Sequence, residues 1–145
     1  MSIPMVLLSS FAGTFGFAML LNAPKKSWIP SSVVGAAAFL LYYVLTQLGI
    51  PEPGSIFLGS LAGSILGQFC ARKMNMISTI FLTLSIVSFV PGLGLYRCME
   101  LLARSETAGG ARKGVEAMVS IAMIALGLGM GSFLFRAVVR GHRNG

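Results

Sequence analysis

Ser78-Thr79-Ile80-Phe81-Leu82-Thr83-Leu84-Ser85-Ile86-Val87-Ser88-Phe89-Val90-Pro91-Gly92-Leu93-Gly94-Leu95-Tyr96-Arg97 sets the architecture of this chain. An apolar run carrying five Ser/Thr hydroxyls meets Pro91-Gly92 and then Gly94, and stays apolar as far as Tyr96-Arg97. Proline lacks the backbone donor and clashes with the preceding turn, so a helix here must kink or stop. In lipid a broken backbone is tolerated only where protein or a water-filled cavity satisfies it. Transporters use interrupted helices to bring polar groups to a substrate site. The competing reading is a proline-glycine turn that simply ends a span.

The rest of the chain sets this stretch in a membrane. Of 145 residues, 55% are hydrophobic and only 10% charged, and the mean hydropathy is +0.84. Soluble domains average about 25% charged residues, so the composition predicts an all-α integral membrane protein. Five hydrophobic segments fill it as a single transmembrane domain over 1–145: about 3–21, 31–48, 55–71, 76–90 continuing to about 102, and 115–135. Each full span needs about 20 residues. The fourth, interrupted at Pro91-Gly92, either crosses past the break or forms half of a re-entrant hairpin. No basic region precedes the first apolar run, so a retained span is expected there in place of a cleaved leader. Breaker-rich Gly49–Gly54 and the polar segment Ala103–Lys113, with Gly109-Gly110, read as loops.

Gly59, Gly63 and Gly67 recur every four residues, which places them on one helix face where another helix can pack closely. Ser60 and Ser64 widen that surface, and Gly127 and Gly131 form a similar step in the last segment. Whether the partner helices belong to this chain or another is left open by the sequence.

The net charge of +7 suggests nucleic acid. Its distribution excludes that: basic residues stand at the ends of apolar runs, as topology signals do. With five crossings, Lys25, Lys26, Arg72, Lys73, Arg136, Arg140 and Arg143 share one side. Arg97, Arg104, Arg112 and Lys113 share the other, mixed with Glu100, Glu106 and Glu116. The excess predicts a cytoplasmic C-terminus and an outer N-terminus, in a cell inner (plasma) membrane. Cys70 and Cys98 have no metal-ligand spacing and read as small buried residues.

Catalysis has little material. The chain has no Asp, its only His is His142 in the basic tail, and its four Glu lie in loops or at span ends. No acids, bases or metal ligands converge within a span, so no enzyme, metal or cofactor is expected. The polar content of the spans is uncharged. At helical spacing Ser78, Ser85 and Ser88 fall within about 80° of one another. They either line a hydrophilic path or bond back to their own helix. Arg97, nearest the break, would cost roughly 2.5–3.5 kcal/mol at the bilayer centre, so it must snorkel, pair or face water. It reads either as a fork for a substrate carboxylate, with Tyr96 as a second donor, or as an interfacial anchor, and Glu100 stands at helix-neighbour spacing from it. The candidate substrate site is therefore Pro91, Gly92, Tyr96 and Arg97, with Ser85 and Ser88 as lining.

Gly16-Phe17-Ala18-Met19 followed by Asn22-Ala23-Pro24, the basic end Ala71-Arg72-Lys73, and Val90-Pro91-Gly92 with Tyr96 form a recognisable combination. Over about residues 5–135 the chain resembles the threonine/serine exporter family, and within it the small membrane component of the split, two-protein form associated with succinate export. The resemblance implies a secondary transporter that exports threonine and serine or dicarboxylates, with a larger subunit of the same family as partner or a homo-oligomer in its place. The polar soluble region that the larger component brings has no counterpart here. An odd number of spans also means that a tandem second half must be inverted, as in many alternating-access transporters. The alternative is a non-transporting membrane scaffold that packs through its glycine faces.

Overall fold

The computed structural model describes residues 2–87 and 89–143, and among these it is all helix and turn. Six helices follow one another: α1 (Ile3–Leu20), α2 (Lys25–Gln47), α3 (Glu52–Lys73), α4 (Ser78–Val87), α5 (Gly92–Ala103) and α6 (Thr107–Arg143). Four of them, α1, α2, α3 and α6, are long and apolar enough to cross a membrane. The α4/α5 pair, bent by 49° at the break, makes a fifth if counted as one span.

Four helix ends are closed in the same way. Asn22 (φ 51°), Gly49 (φ 87°), Asn75 (φ 53°) and Ser105 (φ 64°) adopt the left-handed conformation just past α1, α2, α3 and α5. The next N–H in each case reaches back to the fifth residue before it: Ala23 to Ala18, Ile50 to Leu45, Met76 to Ala71 and Glu106 to Leu101, at 2.9–3.2 Å. This reverse turn satisfies carbonyls that a helix terminus otherwise leaves orphaned, which matters most beside lipid.

Besides α3, which opens at Glu52 inside the stretch Gly49–Gly54 read as a loop, and α6, which runs past the expected end near 135 to Arg143, two boundaries differ from the sequence reading. Helix α2 starts at Lys25 and runs through Pro30, where the second segment was expected to begin only after that proline. The early turns are held by Ser27 Oγ donating to the Pro24 carbonyl (2.7 Å) and Trp28 Nε1 donating to the Ala23 carbonyl (2.7 Å). The bond that Pro30 cannot make would end on Lys26, an exposed residue whose carbonyl water can reach. The second difference is larger. The expected loop Ala103–Lys113 is three non-helical residues, and Gly109-Gly110 lie inside the 37-residue α6. Gly110 is there for close approach: a Cβ on it would stand 2.7 Å from Leu102 Cγ, so α5 and α6 pack as a tight antiparallel hairpin. Arg112 and Lys113, each paired with Glu116, strengthen the first turns of α6.

The centre of the bundle is α3, which uses two different faces. Its glycines meet α2 and α4 and the break. A Cβ at Gly59 would stand 3.0 Å from the Phe89 ring and 3.1 Å from Tyr42 Cβ. At Gly63 it would stand 3.1 Å from Ala38 Cβ, and at Gly67 3.4 Å from Phe81 Cβ. Its serines meet α6. Ser64 Oγ donates to the Leu128 carbonyl (3.1 Å) and lies 3.2 Å from Ser132 Oγ, with Gly131 packed against Ser64 and the Leu61 carbonyl. Gly127 sits on Ser60 and the Phe57 carbonyl. The partners of all five glycines therefore lie within this chain. Helix α1 packs on α2, with Thr14 buried against Gly35, and Ser27, Ser31 and Ser32 of α2 are buried as well.

Candidate site at the helix break

The break is built from local backbone chemistry. Past α4, the Phe89 N–H bonds the Ile86 carbonyl (2.8 Å). Pro91, at φ −76° and ψ 53°, is the centre of an inverse γ-turn in which the Gly92 N–H reaches the Val90 carbonyl (2.7 Å). The Pro91 carbonyl then accepts from Leu95 N–H (3.0 Å) and opens α5. Phe89 anchors this interruption. It is buried among Ala38, Ile56 and Ile124, and its ring centroid lies 6.0 Å from both Phe39 and Tyr42. Neighbouring helices thus shelter one side of the break.

The other side opens onto a cavity of about 800 Å³. Its walls come from α2 (Phe39, Tyr42), the start of α3 (Glu52, Ile56), the break and α5 (Pro91, Gly94, Arg97), and α6 (Lys113, Glu116, Ser120). Packing of Gly127 on Ser60 and of Gly131 on Ser64 sets the register of α3 against α6. That register puts Glu52 level with Val119, so the cavity lies at the end of the bundle that holds the glutamates. Helix α6 continues past this level for about 18 Å at 1.5 Å per residue, with α5 alongside it.

The charges in the cavity divide into two groups. Lys113 pairs with Glu116 (2.6 Å), as does Arg112 (3.4 Å). Arg97 and Glu52 have no ion-pair partner among the described residues, including each other. Glu100, at helix spacing from Arg97, is taken by Arg104 (2.8 Å). One guanidinium and one carboxylate therefore face the same space uncommitted.

The candidate residues read from the sequence separate here. Pro91 and Arg97 line the cavity, whereas Gly92 is exposed beside it. Tyr96 is 64% exposed and lies outside the cavity wall, so it is not placed to act with Arg97. Ser85 is buried against Gly63, and its Oγ donates back to the Leu82 carbonyl (2.9 Å), which is the structural alternative for a hydroxyl in an apolar helix. Ser88 lies outside the described residues. Cys98 is half-buried and donates to the Gly110 carbonyl (3.1 Å), and both cysteines are free. Glu52, Tyr42 and Ser120 are wall residues that the sequence reading did not single out. Glu52 stands between Pro51 and Pro53, in a stretch that reads as a turn.

An all-helical membrane protein in which a broken helix opens onto a charged cavity belongs architecturally with the membrane components of transporters. The match of residues 6–134 to the family described as Threonine/Serine exporter, ThrE, covers most of the chain, and the protein belongs to the threonine/serine exporter family. No curated protein and no solved structure matches it.

Proposed function

We propose that this chain is the membrane component of a secondary transporter that exports small metabolites, and that the cavity at the break is where its substrate is held. The observation that carries this is the presence in one cavity of Arg97 and Glu52, neither of them in an ion pair among the described residues. A guanidinium fork matches a carboxylate. A carboxylate across the same space matches an ammonium group, so a zwitterionic amino acid such as threonine or serine suits the cavity better than a dicarboxylate such as succinate. Tyr42 and Ser120 add hydroxyls for a small polar side chain.

The scaffold alternative loses its main support, because the glycine faces offered for a partner are filled by this chain's own helices. In our reading a larger subunit of the same family supplies the other half, or a second copy of this chain does. The discriminating experiment measures export from cells expressing this chain, the larger subunit, or both. Export is expected with both together, or with this chain alone where a second copy completes it, and full export with the larger subunit alone would overturn the proposal.

Charge also supports an orientation in the inner membrane. The end of the bundle opposite the cavity carries Arg72, Lys73, Arg136, Arg140 and Arg143 and none of the four glutamates. The positive-inside rule puts that end, with the C-terminus, in the cytoplasm. The cavity then opens outward, on the side where an exporter releases its cargo. A phosphatase reporter fused after residue 143 is expected to be inactive and a cytoplasmic fluorescent one bright, and the reverse pattern would refute the orientation.

A further inference from the structure

A second cavity, of about 670 Å³, lies at the opposite end of the bundle from the break. It is formed by the last turns of α3 (Gln68, Ala71, Arg72), the α3–α4 turn (Asn75, Met76, Ser78) and the last turns of α6 (Phe135, Arg136, Val139, Arg140). Three arginines therefore rim one concavity, and none has a carboxylate partner among the described residues. Its wall also holds Gln68, which is 5% exposed and whose Nε2 has no hydrogen-bond partner among the described residues. A buried amide donor without an acceptor is costly, and such groups in native structures call for an explanation.

We propose that this cavity is a binding site for a phosphate-class anion, with Arg72, Arg136 and Arg140 as guanidinium donors and the Gln68 amide as the donor on its wall. Three forks and an amide offer more N–H groups than the two oxygens of one carboxylate can accept, whereas phosphate oxygens suit arginine forks in several directions. The anion has two possible sources, the headgroup of an anionic phospholipid or soluble phosphate. The site is at the level where helix ends meet headgroups, and Phe135, Val139 and Met76 line its apolar side, as a lipid would require. The inference rests on residues remote from the break and stands independently of the transport reading.

The test is thermal unfolding of the full chain in dodecyl maltoside. Dioleoylphosphatidylglycerol and sodium phosphate are added separately, with dioleoylphosphatidylcholine and sodium chloride of equal ionic strength as controls. One of the phosphate sources is expected to raise Tm by about 5 °C at a hundredfold excess over its Kd. A shift with phosphatidylglycerol identifies the lipid source, and an equal shift with inorganic phosphate the soluble one. The double change Arg136→Gln/Arg140→Gln should cut that shift by at least about half without lowering the additive-free Tm, since both side chains are exposed and neither is in an ion pair among the described residues. Gln68→Leu should do the same, and if it fails to fold, the arginine pair decides alone. No shift from either source, or a shift that survives the arginine changes, would overturn the site. Stabilisation by sodium succinate where both phosphate sources fail would overturn the phosphate assignment.

Discussion

Arg97→Ala is expected to reduce export at least about tenfold while the protein accumulates in the membrane at the wild-type level. The two halves of that outcome have separate causes. Arg97 lies in the cavity wall without an ion-pair partner among the described residues, so its removal leaves no orphaned charge behind and costs the fold little. A charge-assisted hydrogen bond to a substrate carboxylate contributes about 1.5–3 kcal/mol, which is a factor of about 10–100 in binding. Arg97→Lys keeps the charge and loses the fork, so it should recover only part of the activity. The companion change Glu52→Gln separates substrates. If the cavity holds a zwitterion, threonine and serine export should fall by a similar factor while any dicarboxylate export is spared. Wild-type transport by Arg97→Ala would remove this residue from the site.

The other large effect is structural. Gly127→Leu or Gly131→Leu is expected to deplete the folded protein from the membrane, whereas Gly129→Leu should be tolerated. A Cβ at position 127 would meet backbone on α3, 2.7 Å from the Phe57 carbonyl and 3.1 Å from the Leu61 nitrogen. At position 131 it would stand 2.9 Å from the Leu61 carbonyl. Backbone does not rotate out of the way as a side chain does, so α3 and α6 would have to separate. Overpacking commonly costs about 1–3 kcal/mol, and rigid neighbours place these two sites at or above the top of that range. A Cβ at position 129, two residues from each and on the opposite side of the helix, meets nothing within 4 Å. Fluorescence-detected size-exclusion of the three variants checks this. Equal yields would mean that the α3–α6 contact is not what holds the bundle.

The two predictions differ in how far sequence alone leads to them. Helix-packing glycines show themselves by spacing, because a four-residue step in an apolar segment has few other uses. Their partners do not, since a glycine says that something comes close and not what. Ser60 and Ser64 illustrate the gap: adjacent to the glycines in sequence, they look to a different helix. Gly109-Gly110 misleads for the same reason. A glycine pair in a polar stretch usually marks a loop, and only Leu102 and Cys98 on the facing helix reveal it as a contact. At the break, Pro91 and Arg97 were legible because proline and charge are conspicuous in an apolar run. Glu52 was not, because its role depends on the level at which α3 meets α6, a tertiary quantity with no local signature. Asn75 and Ser105 close two helices as Asn22 and Gly49 do, yet serine in the left-handed region has no compositional cue.

The two-faced packing of α3 has a mechanical corollary. A rod clamped at glycine distance along one flank and at serine distance along another has no freedom to tilt, so α2, α3, α4 and α6 must move, if at all, as one block. Helix α5 is held on α6 at glycine distance as well, and it joins α4 through a turn that Phe89 anchors inward. The cavity walls drawn from α2, α3, α5 and α6 therefore form a fixed frame, with Phe89–Pro91 as the joint between α4 and α5.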